Sequence, residues 1–196
     1  MSYKEFLQEI LHLNRLKTLP AIYHRVRKIP YGSTGNRDPK VVWEHNVGSC
    51  SGKHILLRDL LREAGFQAEI ITMFTYFNES TPLHESFPEE LKNISANERV
   101  PDFHHYVRVM HQDTWLNLDA TWHDALAKFG FSVNNTWLGK DHTKLASVPE
   151  KEYPNNEDIS GLKVNLVESL PKDQQEMRAR YFQMLTKWIS ENAAGR

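Results

Sequence analysis

The sequence predicts an α+β fold in which a helix that starts at the sole cysteine, Cys50, packs on an antiparallel sheet, with extra N- and C-terminal helices. Three stretches carry this expectation. Directly after Gly48-Ser49-Cys50-Ser51-Gly52-Lys53-His54, the residues Ile55, Leu56, Leu57, Leu60 and Leu61 recur at helical spacing, and Gly65 ends the run. Residues 68–77 are rich in β-branched and aromatic side chains, which fit a strand. His104–Met110 and Thr114–Ala120 are two short strand-like runs separated by turn residues, which predicts a hairpin.

In chain order, the first element is a helix from about Tyr3 to Leu16, with Phe6, Ile10, Leu11 and Leu13 on its apolar stripe. A second helix follows Pro20 and carries Ile22, Tyr23 and Val26. The stretch 29–36, rich in Pro, Gly and Asn, is loop chemistry. Asp38 and Pro39 have the N-cap and first-position chemistry of a short helix to Glu44, which feeds the Cys50 turn. Between the strand at 68–77 and the hairpin lies a polar segment with Pro82, Pro88 and Pro101, where a short helix from Pro88 to Asn93 fits. Residues 121–167 read as irregular, with loop clusters at Pro149 and at Pro154-Asn155-Asn156. The final element is a helix from about Pro171 to Asn192, with Met177, Tyr181, Met184, Leu185 and Trp188 on one side. No composition shift marks an internal boundary, so the expectation is one domain over 1–196.

The chain has 196 residues, 40% hydrophobic and 25% charged, enough for a substantial core. A net charge of −1 argues against a general nucleic-acid binder or an anionic-membrane binder. One cysteine excludes an internal disulfide framework. The first residues lack the apolar segment of a secretory signal, so a cytoplasmic location with a reduced thiol is the expectation.

Cys50 stands at the start of its helix, where unpaired N–H groups and the helix dipole favour a thiolate. A thiolate nucleophile needs a general base, usually His, and that His needs an orienting partner. His104 and His105 open one hairpin strand, and Asp119 closes the other, so a His and an Asp can meet at the end opposite the turn. A two- or four-residue turn puts His104 on the face of Asp119 and sets Val107 and Val109 against Leu116 and Leu118. A three-residue turn pairs His105 with Asp119 and sets the valines against Trp115 and Asn117. The apolar match favours His104.

The stretch from Gly48 to Phe66 resembles the cysteine motif of the transglutaminase-like superfamily: a glycine shortly before a helix-capping Cys, then a leucine-rich helix ending in Arg-x-x-Gly. His104-His105-Tyr106-Val107-Arg108-Val109 is similar to the family's His strand, in which an aromatic follows two places after the His, and this spacing also selects His104. Trp115-Leu116-Asn117-Leu118-Asp119-Ala120-Thr121-Trp122 is similar to its Asp strand. The resemblance covers about residues 38–124. Arg108 departs from it where an acidic residue is common, which bears on substrate charge, and His54 departs where a small one is, which crowds the helix beside the thiol.

The resemblance implies a papain-like fold and a Cys50-His104-Asp119 triad. Cys50 would attack a carboxamide carbon and form a thioester that water or an amine resolves. The substrate would be a peptide, a protein or an amide-containing small molecule. The Cys50 N–H would give half of an oxyanion hole. Trp43 and Asn46 are candidates for the second donor, and His105 and Tyr106 are further substrate-side or oxyanion candidates.

Rival readings are bland. The ten histidines form no helical His-x-x-x-His pair with an intervening carboxylate, so no metal and no other cofactor is expected. Gly48–Lys53 fails the phosphate-loop pattern in spacing and at His54. A Cys50–His54 dyad would lack a third member. Arg58 and Arg62 read as a solvated face, and Trp122 as core. The alternative from another class is a non-catalytic module that uses the same groove to bind a peptide or partner, and Arg108 and His54 are what favour it.

Overall fold

The computed structural model describes residues 1–33, 35–153 and 155–193. Thr34 of the expected 29–36 loop and Pro154 of the 154–156 cluster lie outside the described residues. Helix α1 spans Tyr3–Leu13 and opens on a reciprocal cap: the Glu5 N–H donates to Ser2 Oγ at 3.2 Å, and the Ser2 N–H donates to Glu5 Oε2 at 2.7 Å. Leu7 rather than Leu13 joins Phe6 and Ile10 on the buried side. Helix α2 (Leu19–Arg27) starts at the Thr18 cap, and α3 (Pro39–Glu44) starts where Asp38 Oδ1 accepts the Lys40 N–H at 2.8 Å. Helix α4 runs Cys50–Glu63, and Gly65 follows with φ +90°, a value that suits glycine.

Strands β1 (Ala68–Tyr76), β2 (Pro101–His111), β3 (Thr114–Leu118) and β4 (Lys151–Tyr153) form one sheet in the order β3-β2-β1-β4, with every pair antiparallel. Helix α5 (Glu89–Asn97) lies in the connection between β1 and β2. The hairpin turn is the two-residue Gln112-Asp113, at φ +49° and +60°, the left-handed geometry that suits tight hairpins. His111 therefore pairs with Thr114 instead of lying in the turn. Val107 faces Leu118 and Val109 faces Leu116, the apolar-to-apolar register.

The segment expected to be irregular holds a 3-10 turn (Asp124–Phe129), β4 and helix α6 (Ile159–Glu168). Helix α6 buries Ile159 and Lys163. Helix α7 (Lys172–Asn192) buries Tyr181, Leu185, Trp188 and Ile189. Arg58 is buried rather than solvated; it bonds Asp59 at 2.8 Å, while Arg62 grips Glu157 with two bonds of 3.0 Å. Among the described residues, no helix is long and apolar enough to cross a membrane.

The buried apolar side chains divide in two. One set, including Ile22, Val26, Leu57, Leu61, Val107 and Leu118, lies between helices α1, α2 and α4 and one face of the sheet. An aromatic set, including Phe77, Trp122, Phe131, Tyr181 and Trp188, lies under α7. Helix α4 packs in the first set, yet the Cys50 side chain belongs to the second. The thiol therefore stands at the seam between them.

Candidate active site

Cys50 is the first residue of α4, and the Ser49 side chain caps that helix by accepting the Gly52 N–H. Helix α3 presses directly on this turn. A Cβ at Gly52 would come within 2.8 Å of Val42 Cγ2, and one at Gly48 within 2.9 Å of Val42 Cγ1. The two glycines are what allow that approach. One turn further, the fully buried Lys53 Nζ donates to the carbonyl oxygens of Arg27 (3.0 Å), Ile29 (2.7 Å) and Thr121 (2.9 Å). It ties α4 to the end of α2 and to the chain just past β3. These bonds give Lys53 a structural role.

His104 Nε2 lies 2.8 Å from Asp119 Oδ2, and both side chains are buried. Asp119 is held from several sides. Its Oδ1 accepts the Thr121 N–H at 2.9 Å, its Oδ2 accepts the Ala146 N–H at 2.7 Å, and its own N–H donates to Thr143 Oγ1 at 2.7 Å. Burial opposes charge on both groups, but their mutual attraction wins. It holds Asp119 below the usual carboxylate range and raises His104 to about 10. With Nε2 committed to Asp119, Nδ1 is the nitrogen left to face the thiol. Nδ1 has no partner at full hydrogen-bond geometry, so the thiol–imidazole contact is loose. The two groups are still close enough for each to favour the charged form of the other.

Burial alone would push the Cys50 thiol up. The Lys163 ammonium, 3.9 Å from Sγ, and interactions with His104 and His105 outweigh it and hold the thiol well below its ordinary value. Lys163 lies 3.3 Å from Asp102 Oδ1, and Arg178 of α7 clamps the same oxygen through Nε at 2.9 Å and Nη2 at 2.6 Å. Cys50, Asp102 and Asp119, each held low, thus stand against His104, held high, and the Arg178 guanidinium. Burial raises the Tyr31 phenol well above its ordinary value and keeps it uncharged.

The structure brings Cys50, His104 and Asp119 together, and His105 joins them from the other face of β2. His105 Nδ1 lies 3.0 Å from Ser51 Oγ, and burial lowers this imidazole to about 4. The other sequence candidates stand elsewhere. Trp43 lies under the Arg25 guanidinium, 4.1 Å from ring centre to carbon, and packs against the first core; Asn46 is exposed with φ +48°. Neither lines the pocket at Cys50. The Tyr106 hydroxyl donates to Glu152 Oε1 at 2.6 Å and accepts from Arg108 Nη2 at 3.1 Å, away from the thiol. Arg108 is thus occupied by Tyr106 and Asn117 within the sheet. His54 Nε2 accepts the Ala120 N–H at 2.8 Å, and burial lowers His54 to about 4, so it braces the end of β3. Sequence reasoning missed Asp102, Lys163 and Arg178. Asp102 alone left a trace, sharing the His104 side of β2 by alternation.

The Cys50 pocket encloses about 210 Å³ and is lined by Tyr31, Arg37, Ser51, Asp102, Lys163, Arg178 and Phe182, among others. Tyr31, Gly32, Ser33, Arg178, Phe182 and Thr186 also line a groove of about 790 Å³ between the 30–33 segment and α7. The site can thus hold a thiolate beside an imidazolium at the floor of an open channel.

The family model described as "Transglutaminase-like superfamily" matches residues 5–120, more than half of the chain. Among solved structures, the chain is similar to a putative cysteine protease from Cytophaga hutchinsonii, with a TM-score of 0.44 and 18% identity over 63% of this chain and 39% of that one. The chain thus spans well under half the length of that protein. No curated protein matches it. By the extent of the family match, the chain belongs to the transglutaminase-like superfamily.

Proposed function

We propose that the protein is a thiol-dependent hydrolase or acyltransferase that opens a carboxamide or peptide-type bond through a thioester on Cys50. The observation that carries this reading is a thiol biased toward thiolate at the floor of a channel, beside a His104 imidazole whose other nitrogen lies 2.8 Å from the buried Asp119. Thiolate addition to a carbonyl carbon gives a tetrahedral oxyanion. Its collapse breaks the C–N bond, and the leaving nitrogen takes the proton from His104. The imidazole then accepts a proton from water or an amine as that nucleophile attacks the thioester. Asp119 keeps Nε2 protonated and the ring in place. The substrate is a peptide, a protein or a small amide that reaches Cys50 along the groove beside α7. Arg108 and His54 both have partners within the fold, which supports the enzyme reading over a binding module.

The test is site-specific alkylation by iodoacetamide. Rapid modification of Cys50 below neutral pH, absent from Cys50→Ala, is the expected result. A thiol that reacts only with an alkaline pKa would overturn the reading.

A further inference from the structure

We propose that Lys163 is a catalytic residue of this site: its ammonium, 3.9 Å from Cys50 Sγ and lining the pocket that would receive the acyl group, donates to the oxyanion formed when the thiolate adds to a carbonyl. The inference rests on Cys50 being the nucleophile, and it supplies the second donor that Trp43 and Asn46 do not. The first donor is the Cys50 N–H, which has no intrahelical acceptor at the start of α4.

Lys163 suits the task in three ways. It is 4% exposed, so its charge acts in a water-poor setting. Its position is fixed by Asp102 at 3.3 Å, itself clamped by Arg178, so little reorganisation is needed when the oxyanion forms. An ammonium has three N–H bonds, so contacts with Asp102 and the sulfur leave one more for an oxygen on the carbon that joins the sulfur. His105 Nε2 is also buried without a partner, but burial keeps that imidazole uncharged, whereas Lys163 brings its charge within 3.9 Å of the sulfur. Lys163 lies outside the 5–120 match, on α6.

The step balances without a further reagent. The sulfur electron pair forms the S–C bond, and the carbonyl π pair moves onto oxygen beside the Lys163 and Cys50 N–H groups. On collapse that pair re-forms C=O, the C–N bond breaks, and the leaving nitrogen takes the proton of His104. Lys163 keeps its own proton throughout.

Two probes separate oxyanion stabilisation from simple support of the thiolate. Iodoacetamide is displaced at a saturated carbon and forms no oxyanion, whereas p-nitrophenyl acetate acylates through one. Both rates are followed against pH to their plateaus, where the thiolate is fully formed, in wild type, Lys163→Met and Lys163→Gln. In Lys163→Met the alkylation plateau stays near wild type, while the burst of nitrophenolate falls by about 100-fold. Lys163→Gln keeps an N–H donor without the charge and recovers part of the ester rate. It also carries the comparison alone if Lys163→Met fails to fold. Plateaus that fall together, or an ester-to-alkylation ratio equal to wild type in the folded variants, would overturn the role of Lys163 while leaving Cys50 the nucleophile. Wild type with no Cys50-dependent burst would instead remove the thiol chemistry itself.

Discussion

At the scale of single residues, the Asp119 carboxylate is the most constrained group near the thiol. Each oxygen accepts a backbone N–H, from Thr121 and from Ala146, and one also faces His104 Nε2. Asp119→Asn must turn its amide NH2 toward one of those donors whichever way it is built, and the support for imidazolium is lost as well. The expected outcome is a loss of roughly 1–3 kcal/mol in urea unfolding, from a buried donor left without an acceptor. Cys50 acylation by p-nitrophenyl acetate should fall by about 10²–10⁴-fold. An unchanged acylation rate in a folded Asp119→Asn would contradict the orienting role proposed for this carboxylate.

Among the elements, α7 is joined to the site by one charged contact. Its aromatic face is buried on its own account through Tyr181, Leu185 and Trp188, while Arg178 reaches across to Asp102. Arg178→Met leaves Asp102 buried with only Lys163 as counter-charge. Removing one partner of a buried pair costs about 3–5 kcal/mol where no other remains, so with Lys163 still present roughly 2 kcal/mol is expected. The unfolding midpoint in urea should drop with little change in the m-value, because the apolar contacts of α7 survive. A midpoint equal to wild type would show that Lys163 alone satisfies Asp102.

For the molecule as a whole, buried titratable groups give an acid-side signature. His54 and His105 are held near 4 by burial, from an ordinary 6.5, so below about pH 6.5 the unfolded chain binds protons that the native one refuses. Each then removes up to ~1.4 kcal/mol per pH unit between about 6.5 and 4. Asp102 and Asp119, held low, add their loss below about 4, in the same direction. The depressed Cys50 thiol likewise loses its contribution as pH falls through its folded value. His104, raised to about 10, has the opposite sense. Its stabilisation is complete below about 6.5 and is lost as pH climbs from there to 10. It therefore adds no slope on the acid side. Urea unfolding at pH 6.5, 5.5 and 4.5 should show a progressive loss, and His54→Gln should flatten it. A stability independent of pH over that range would mean that these imidazoles are not kept neutral in the fold.

The sequence alone determined the elements whose period is strong: the leucine-rich α4 starting at Cys50, the β1 run, the amphipathic α7 and the hairpin. It also pointed to the meeting of His104 with Asp119, because Val107 and Val109 can face Leu118 and Leu116 in only one register. It could not supply Lys163. Its contact with Cys50 spans 113 positions, beyond the reach of any periodicity. Tertiary structure also decided that Arg58 is buried, that Arg108 turns away from the thiol, and that Asp102 is clamped by Arg178. The physical reason is the same in each case. Periodicity reports which face of an element meets hydrocarbon, whereas charge pairing depends on where distant elements end up once that hydrocarbon has been buried.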